Sequence, residues 1–228
     1  MSKDLQRLLK KAQSKSDSER YEAVIEIADL AERAAIQPLM AMANDSSDDV
    51  KLAVASTLGF LGERFKDATP VPTLVEMLKK AGDNNDVKLR IIEALGMIGD
   101  PKVGMLLAEE IDNHASNPDI LKEVIGAIGK VKYKEAAKRI VKYLEHDEES
   151  IRLATSTALG EIGDPSVIDA LFKAANDVSS EVAGNAIIAI GKVGNKSCLP
   201  RLFEMLEQEP RLPAVLEAAV NDAIKMIK

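Results

Sequence analysis

Apolar residues recur along the chain at helical spacing, in pairs of short segments. From Ile151 to Ile162 they follow one another at intervals of three and four residues, which is the spacing of one buried helix face. After a break with the sequence GDP at 163–165, a second such pattern runs over Ile168–Ala175. Glycine favours the left-handed conformation that ends a helix, whereas aspartate and proline favour the start of the next one. The segment therefore predicts a hairpin of two helices.

This hairpin pattern repeats along nearly the whole chain. The first glycines of five similar segments follow each other at steps of 37, 33, 31 and 31 residues, and periods of this size are typical of repeat arrays. The segments are TLGFLGE at 57–63, ALGMIGDP at 94–101, AIGKVKY at 127–133, ALGEIGDP at 158–165 and AIGKVGN at 189–195, with weaker copies at 26–32 and 223–228. We therefore expect six hairpins plus a terminal helix, with repeats at approximately 17–45, 46–83, 84–116, 117–147, 148–177 and 178–210, and capping helices at 1–16 and 211–228.

A hairpin of this size cannot bury both of its apolar stripes by itself, so its stability depends on stacking against its neighbours. The sequence therefore predicts one all-α domain over 1–228, a right-handed α–α superhelix with a continuous core. The glycine inside each first helix, such as Gly160, costs about 1 kcal/mol relative to alanine. We expect close approach of the backbone of the second helix to offset that cost. The longer segment at 62–72 predicts a protruding loop within its hairpin.

Composition and charge narrow the class of protein. Apolar residues make up 46% of the 228 residues and aromatic residues 3%, as expected of closely packed helices. The lone Cys198 cannot form an internal disulfide, so we expect a reducing compartment, the cytoplasm. No apolar run is long enough to span a membrane, and charges interrupt the leucines of the N-terminal segment. The net charge of −7 disfavours nucleic acid as a partner.

The repeated segments resemble HEAT repeats, particularly the short kind found in phycobilin lyase subunits and in bacterial and archaeal scaffolds. The family motif, an acidic residue and valine, then arginine, alanines and A-L-G-x-I-G-D-P, is matched at 48–62, 86–101 and 150–165. Lys51 and Lys88 replace its arginine, whereas Leu121 and Ala183 abandon it. The resemblance implies a helical solenoid whose second helices line a concave side.

No catalytic constellation is evident. His114 and His146 lie at the predicted ends of second helices, where histidine suits the helix dipole, and neither has a second His or Cys at metal-ligand spacing. Cys198 begins a second helix without a histidine nearby in sequence, so we interpret it as a packed apolar residue. We predict no catalytic, cofactor-binding or metal-binding residue and expect a protein that is not an enzyme.

Two features mark a candidate binding surface on the predicted second helices. A basic cluster in repeat four, defined as Lys130, Lys132, Lys134, Lys138, Arg139 and Lys142, inverts the local charge of an acidic chain and suits an acidic or phosphorylated peptide. The alternative is an ordinary solvated helix face. A row at Met42, Met77, Glu110, Tyr143, Ala174 and Met205 is either an apolar binding stripe or a set of positions partly buried between helices. The predicted partner-binding residues are Lys134, Lys138, Arg139, Lys142, Tyr143, Met77, Glu76, Glu109, Lys173, Arg201, Glu204 and Met205.

Three functions follow in order of preference. The first is a non-enzymatic scaffold or adaptor that binds another protein on its second-helix face. The second, which rests on the family resemblance alone, is a lyase or maturation subunit that holds a bilin or a client protein. The third is nucleic-acid binding through the basic cluster. The sequence does not determine the oligomeric state.

Overall fold

A computed structural model describes residues 1–208 and 211–227, and within them the chain is helical without a β-strand. The helices are α1 Lys3–Lys11, α2 Asp17–Leu30, α3 Ile36–Ala41, α4 Asp48–Phe65, α5 Val71–Lys80, α6 Asn85–Ile98, α7 Gly104–Asn113, α8 Pro118–Lys130, α9 Ala137–Ile140, α10 Glu149–Ile162, α11 Ile168–Ala174, α12 Ser180–Val193, α13 Leu199–Glu207 and α14 Ala214–Ile227. Short 3₁₀ turns precede most of the second helices, and one over Val141–Glu145 follows α9. The predicted all-α class is confirmed.

The chain forms two compact units, one over residues 1–103 and one that begins at Gly104. In the first unit α2, α4 and α6 pack side by side in chain order, and α1 packs on α2 with Leu5 and Leu8 buried. In the second unit α8, α10, α12 and α14 pack in the same order. Second helices lie against the first helix that follows them, as α5 does on α6 and α11 on α12.

Helix ends follow from the turn residues of the repeat. Gly99 and Gly163 end α6 and α10 with φ of 70°, the left-handed conformation in which a β-carbon is unfavourable. Asp164 then accepts a hydrogen bond from the backbone N–H of Ser166 at 2.9 Å, which caps the next helical turn. The GDP segment thus closes one helix and opens another, as predicted.

The glycines inside α4, α8, α10 and α12 make close contacts, although the predicted partner helix is wrong. A β-carbon placed on Gly160 of α10 would lie 2.9 Å from Cβ of Ala189 on α12, and one on Gly191 would lie 2.8 Å from Cα of Ala223 on α14. The approaching helix is therefore the first helix of the next hairpin rather than the second helix of the same one. Gly59 contacts Ala94 and Gly129 contacts Ala158 in the same way, so within each unit close packing joins the first helices of successive hairpins.

The expected protruding loop at 62–72 is largely absent. Helix α4 does not stop at Gly62 but continues to Phe65, and Lys66 takes the left-handed conformation with φ of 50°. Gly62 is buried, and a β-carbon there would lie 2.6 Å from Cγ1 of Ile98. The extra residues mainly lengthen a helix, because Glu63 and Arg64 are good helix formers.

Two arginines each link the first helix of a hairpin to the turn that follows that hairpin. Arg20 on α2 donates to both carboxylate oxygens of Asp45 at 2.7 Å, and Arg152 on α10 donates to those of Asp177 at 2.7 and 3.0 Å. The arginine side chains lower the pKa of Asp45 and Asp177, and the N–H groups of Ser47 and Ser179 lower it further. Bidentate, largely buried pairs of this kind are geometrically specific.

Candidate functional site

The basic cluster of repeat four begins at the end of α8 with Lys130, and its residues from Lys134 onward lie on an irregular second helix. Helix α9 is only four residues long and is flanked by 3₁₀ turns at Lys134–Ala136 and Val141–Glu145. Lys132 stands at the position that Gly163 occupies in the next repeat and takes a left-handed φ of 55°. Tyr133 occupies the position of the capping aspartate and makes no side-chain cap. The cluster therefore occupies a hairpin whose turn lacks both the glycine and the capping acid.

Within the described residues, the lysines of the cluster are not engaged in ion pairs, and three of them lie on the second-helix side. Lys134, Lys138 and Lys142 are exposed, and within the described residues none has a carboxylate within 4.0 Å of its ammonium group. Lys138 lies in α9, whereas Lys134 and Lys142 lie in the 3₁₀ turns on either side of it. The Nζ of Lys142 lies 4.9 Å from the ring centroid of Tyr143, a favourable cation–π distance. The charges are thus available to an anionic ligand.

Asp164, in the turn of the following hairpin, lies within the electric field of this cluster. The backbone N–H and hydroxyl of Ser166 lower its pKa most, and the positive charges of Lys138 and Lys134 lower it further. Asp164 is therefore a carboxylate in the electrostatic surroundings of Lys134 and Lys138.

The other predicted basic residues are engaged in ion pairs between successive second helices. Each pair joins a basic residue to an acid of the preceding repeat. Arg139 approaches Asp112 at 3.5 Å and donates to the carbonyl of Ala108 at 2.7 Å; Lys173 pairs with Glu145 at 2.6 Å, and Arg201 pairs with Asp169 at 2.6 Å. The guanidinium of Arg201 also lies 3.6 Å from the ring centroid of Phe172. These exposed pairs contribute little stability, and they orient three basic side chains along the second-helix face.

The predicted row of second-helix positions that begins at Met42 and ends at Met205 is not an exposed apolar stripe. Met77 is 5% exposed and Tyr143 is 7% exposed, so these two predicted partner contacts are packed inside the protein instead. Ala174 is buried as well, while Met42, Glu110 and Met205 are half-buried. Burial between adjacent helices, the second interpretation given above, therefore describes the row.

The remaining predicted residues are acids, and one of them lies in the other unit from the basic residues. Glu109 and Glu204 are exposed acids in the second unit, on α7 and α13. Glu76 lies in the first unit, on α5, where it pairs with Lys80 at 3.4 Å. The positively charged part of the predicted surface therefore consists of the basic residues on α9, α11 and α13 and in the 3₁₀ turns beside α9. The three predicted acids do not belong to it.

Residues with catalytic potential have structural roles. His146 accepts a hydrogen bond from the backbone N–H of Glu148 at 3.0 Å through Nδ1, and His114 lies 3.1 Å from Glu110 through Nε2. Cys198 is buried. Within residues 1–208 and 211–227, no group of three or more His, Cys, Asp or Glu side chains is arranged to hold a metal ion. No helix in that part of the chain is both long and apolar enough to cross a membrane.

Sequence reasoning missed two features that had readable signals. The ion pair of Arg20 with Asp45 recurs 132 positions later in the chain as the ion pair of Arg152 with Asp177. The residue after the repeat glycine is Phe60 in the first strong copy, whereas it is Lys130, Glu161 or Lys192 in the last three. Because these equivalent residues are charged, an alignment of the repeats on their glycines would have suggested that Phe60 is exposed, as the structure shows.

Comparisons with known proteins agree with this architecture. A family profile described as HEAT repeats matches residues 5–64 and 105–183. No curated protein matches the chain. Among solved structures, a protein of E. coli, YIBA, is similar with 20% identity and a TM-score of 0.66, covering 97% of this chain and 81% of that one.

Two further structures are similar over nearly their whole length. The structure of the CpcE–CpcF complex of phycocyanin lyase from Nostoc has 19% identity and a TM-score of 0.63, covering 97% of this chain and 94% of that one. An archaeal HEAT-like repeats protein from Thermococcus onnurineus has 12% identity and the same TM-score, covering 100% and 97%. At these identities the likeness establishes the fold alone.

Proposed function

The chain belongs to the HEAT-repeat family, and from that premise we propose that it is a protein-binding scaffold whose basic second-helix surface takes an acidic or phosphorylated segment of a partner. Repeat arrays of this kind present extended surfaces made by successive hairpins. Binding of a protein segment requires no catalytic group, which agrees with the structural roles of the two histidines and the cysteine.

The observation that carries the proposal is the set of three unpaired lysines, Lys134, Lys138 and Lys142. The chain has a net charge of −7, and Arg139, Lys173 and Arg201 nearby are paired with acids, so three cations without an ion pair form a local concentration of positive charge. Carboxylates and phosphates form charge-assisted hydrogen bonds with ammonium groups, and a doubly charged phosphate gains most from several of them.

The ion pairs around the lysines support the same conclusion. Arg139, Lys173 and Arg201 are held in place by acids of the preceding repeat. Because such exposed pairs are weak, a carboxylate or phosphate of a partner can compete for the same guanidinium and ammonium groups. We therefore propose that the segment lies across successive second helices of the second unit, with its charges at the three lysines.

The test compares two synthetic fluorescent peptides that differ only in one phosphoserine replaced by serine, each with three glutamates. Fluorescence anisotropy measures Kd for the full chain and for the triple variant Lys134→Glu, Lys138→Glu and Lys142→Glu. We expect the wild type to bind the phosphorylated peptide more tightly and the triple variant to lose at least tenfold in affinity, which corresponds to about 1.4 kcal/mol. Raising the salt concentration should weaken wild-type binding.

A second triple variant, Lys3→Glu, Lys102→Glu and Lys196→Glu, is the matched control because it changes the net charge equally at exposed lysines elsewhere. It should bind like the wild type. If both triple variants lose the same affinity, attraction is a property of net charge rather than of this surface. If neither loses affinity, the surface does not bind acidic segments. Circular dichroism verifies that both variants remain helical.

A further inference from the structure

Two adjoining clefts open on the first helices of the first unit. The larger, of about 400 Å³, lies between α2 and α4, and Ile25, Leu52 and Phe60 are its large apolar residues, with Ala28 beside them. Asp49 and Arg90 also line it, and Arg90 is held in an ion pair with Glu93. Three of its large side chains are partly exposed to solvent: 42% of Tyr21, 41% of Ile25 and 36% of Phe60. Contiguous exposed apolar surface on a water-soluble fold is typical of an interaction site.

The repeat sequence accounts for the opening between α2 and α4. Gly59 on α4 allows Ala94 of α6 to approach so closely that an added β-carbon would lie 2.7 Å from its Cα. In α2 the equivalent position is Ala28, as the alignment of EIADLAE with TLGFLGE shows. Ala28 carries the methyl group that Gly59 lacks, and it is half-buried as part of the cleft lining.

The second cleft, of about 390 Å³, is polar and acidic. Asp17, Ser18, Tyr21, Ser47 and Asp49 line it. Tyr21 and Asp49 line both clefts, so the acidic one adjoins the apolar one directly. Asp17 accepts the backbone N–H of Ser18 at 2.9 Å. Within the described residues, neither Asp17 nor Asp49 has a basic side chain within 4.0 Å of its carboxylate.

From this juxtaposition we propose that the paired clefts dock a peptide segment of a partner protein that presents a large apolar side chain within about one helical turn of a lysine or arginine. The apolar side chain fills the space beside Ile25 and Phe60, and the cation lies between the carboxylates of Asp17 and Asp49. Charge complementarity selects this occupant, because an acidic segment would bring its own charge against two carboxylates that have no basic side chain within 4.0 Å, whereas Arg20 and Arg90 are each paired with another acid.

This inference goes beyond the function proposed above, since it concerns another unit, other helices and a ligand of opposite charge. Anchoring by one apolar side chain and orientation by one ion pair are the usual division of roles at protein interfaces. The scaffold would then hold two kinds of segment, a basic and apolar one on its first unit and an acidic one on its second.

The test is selection of random 12-residue peptides displayed on phage against the immobilised full chain, with soluble Phe60→Asp variant present in excess as competitor. Enriched peptides are then synthesised and their Kd values measured by fluorescence anisotropy. We expect them to contain Lys or Arg within four residues of Phe, Leu or Ile. Their affinity should fall at least tenfold for Phe60→Asp and at least threefold for the double variant Asp17→Asn and Asp49→Asn.

Matched controls distinguish docking in the clefts from general surface effects. Val215 on α14 is 65% exposed, so Val215→Asp removes a comparable apolar side chain elsewhere, and Asp83→Asn with Asp86→Asn removes two exposed carboxylates elsewhere. Both controls should bind as the wild type does. Ile25→Ser replaces Phe60→Asp if the latter loses helicity.

Two results would overturn the proposal. One is the absence of any peptide whose binding depends on Phe60 or Ile25. The other is enrichment of acidic peptides that bind the Asp17 and Asp49 double variant as tightly as the wild type. If those acidic peptides lose affinity for the triple variant of Lys134, Lys138 and Lys142, the function proposed above is supported while this one fails.

Discussion

Gly129 of α8 lies so close to Ala158 of α10 that a β-carbon on the glycine would be 2.7 Å from Cα of the alanine and 2.9 Å from its Cβ. Real side chains do not approach a backbone atom so closely, so the two helices could keep this separation only with glycine at 129. The contact recurs between α10 and α12 and between α12 and α14. Glycine in these helices is therefore a packing residue, and its helix-propensity cost is offset by inter-helix contact.

We predict that Gly129→Ala lowers the free energy of unfolding, whereas Gly126→Ala in the same helix raises it. Both changes gain about 1 kcal/mol of helix propensity. At 129 the added methyl overpacks against a backbone, which costs roughly 1–3 kcal/mol or more. At 126 a β-carbon would meet nothing within 4 Å. Urea denaturation followed by circular dichroism measures both. Equal effects of the two substitutions would contradict the packing role.

Much of the fold was predictable because each hairpin repeats the same local rules. The positions of Gly99 and Gly163 and the apolar periodicity predict helix pairs without knowledge of their neighbours. The partner of Gly160 was not predictable in this way, since both candidate helices have alanines at suitable positions. Which one approaches is decided by the tertiary packing of successive first helices.

The candidate surface was predictable only in part. The charges of Lys134, Lys138 and Lys142 follow from composition and spacing, but the engagement of Arg139 and Arg201 depends on acids about 30 residues away in the chain. Burial of Met77 and Tyr143 also depends on neighbouring repeats. A periodic row of apolar residues on a helix does not reveal whether it faces solvent or another helix.

Gly104 at the start of α7 has a single specific neighbour, the ring of Tyr133. A β-carbon on Gly104 would lie 2.4 Å from ring atoms of the tyrosine. We predict that Gly104→Ala destabilises the protein by about 1–3 kcal/mol, as overpacking does. In a Tyr133→Gly background the same substitution should be nearly neutral, because the ring and the β-carbon of residue 133, which lies 2.7 Å from the added methyl, are both gone.

A double-mutant cycle with urea denaturation measures this coupling. Contacting residues typically show interaction energies of about 0.5–3 kcal/mol. Gly126→Ala in the Tyr133→Gly background is the control and should show no coupling. An unchanged cost of Gly104→Ala after removal of the ring would show that another contact requires glycine at 104.

The pairing of Arg152 with Asp177 predicts a dependence of stability on acid. The arginine side chain lowers the pKa of Asp177 in the folded protein below its ordinary value of 3.8. A carboxyl whose pKa is lower in the folded state contributes stability above its unfolded pKa and loses it as the pH falls through the folded one. The wild type should therefore lose stability below about pH 4, partly through this group.

We predict that Asp177→Asn lowers stability at pH 7 by about 1–3 kcal/mol, because it leaves a largely buried arginine without its counter-ion. The difference between the variant and the wild type should shrink as the pH is lowered toward 2. Urea denaturation at several pH values measures it, with the exposed Asp83→Asn as the control. A difference that stays constant with pH would exclude ionisation of Asp177 as its source.

Lys132 holds a backbone conformation that glycine holds elsewhere in the repeat. Its φ of 55° corresponds to 70° at Gly163, and a residue with a β-carbon is strained in that region by roughly 1 kcal/mol. We predict that Lys132→Gly raises the free energy of unfolding by about 0.5–1 kcal/mol. Lys130→Gly, at the end of α8 and without a positive φ, should lower it instead.

Because Lys132 is not among the three lysines proposed to bind an acidic segment, Lys132→Gly should leave peptide affinity within twofold of the wild type. A loss of stability on Lys132→Gly, measured by urea denaturation, would mean that the lysine side chain makes a contribution larger than the strain of its backbone.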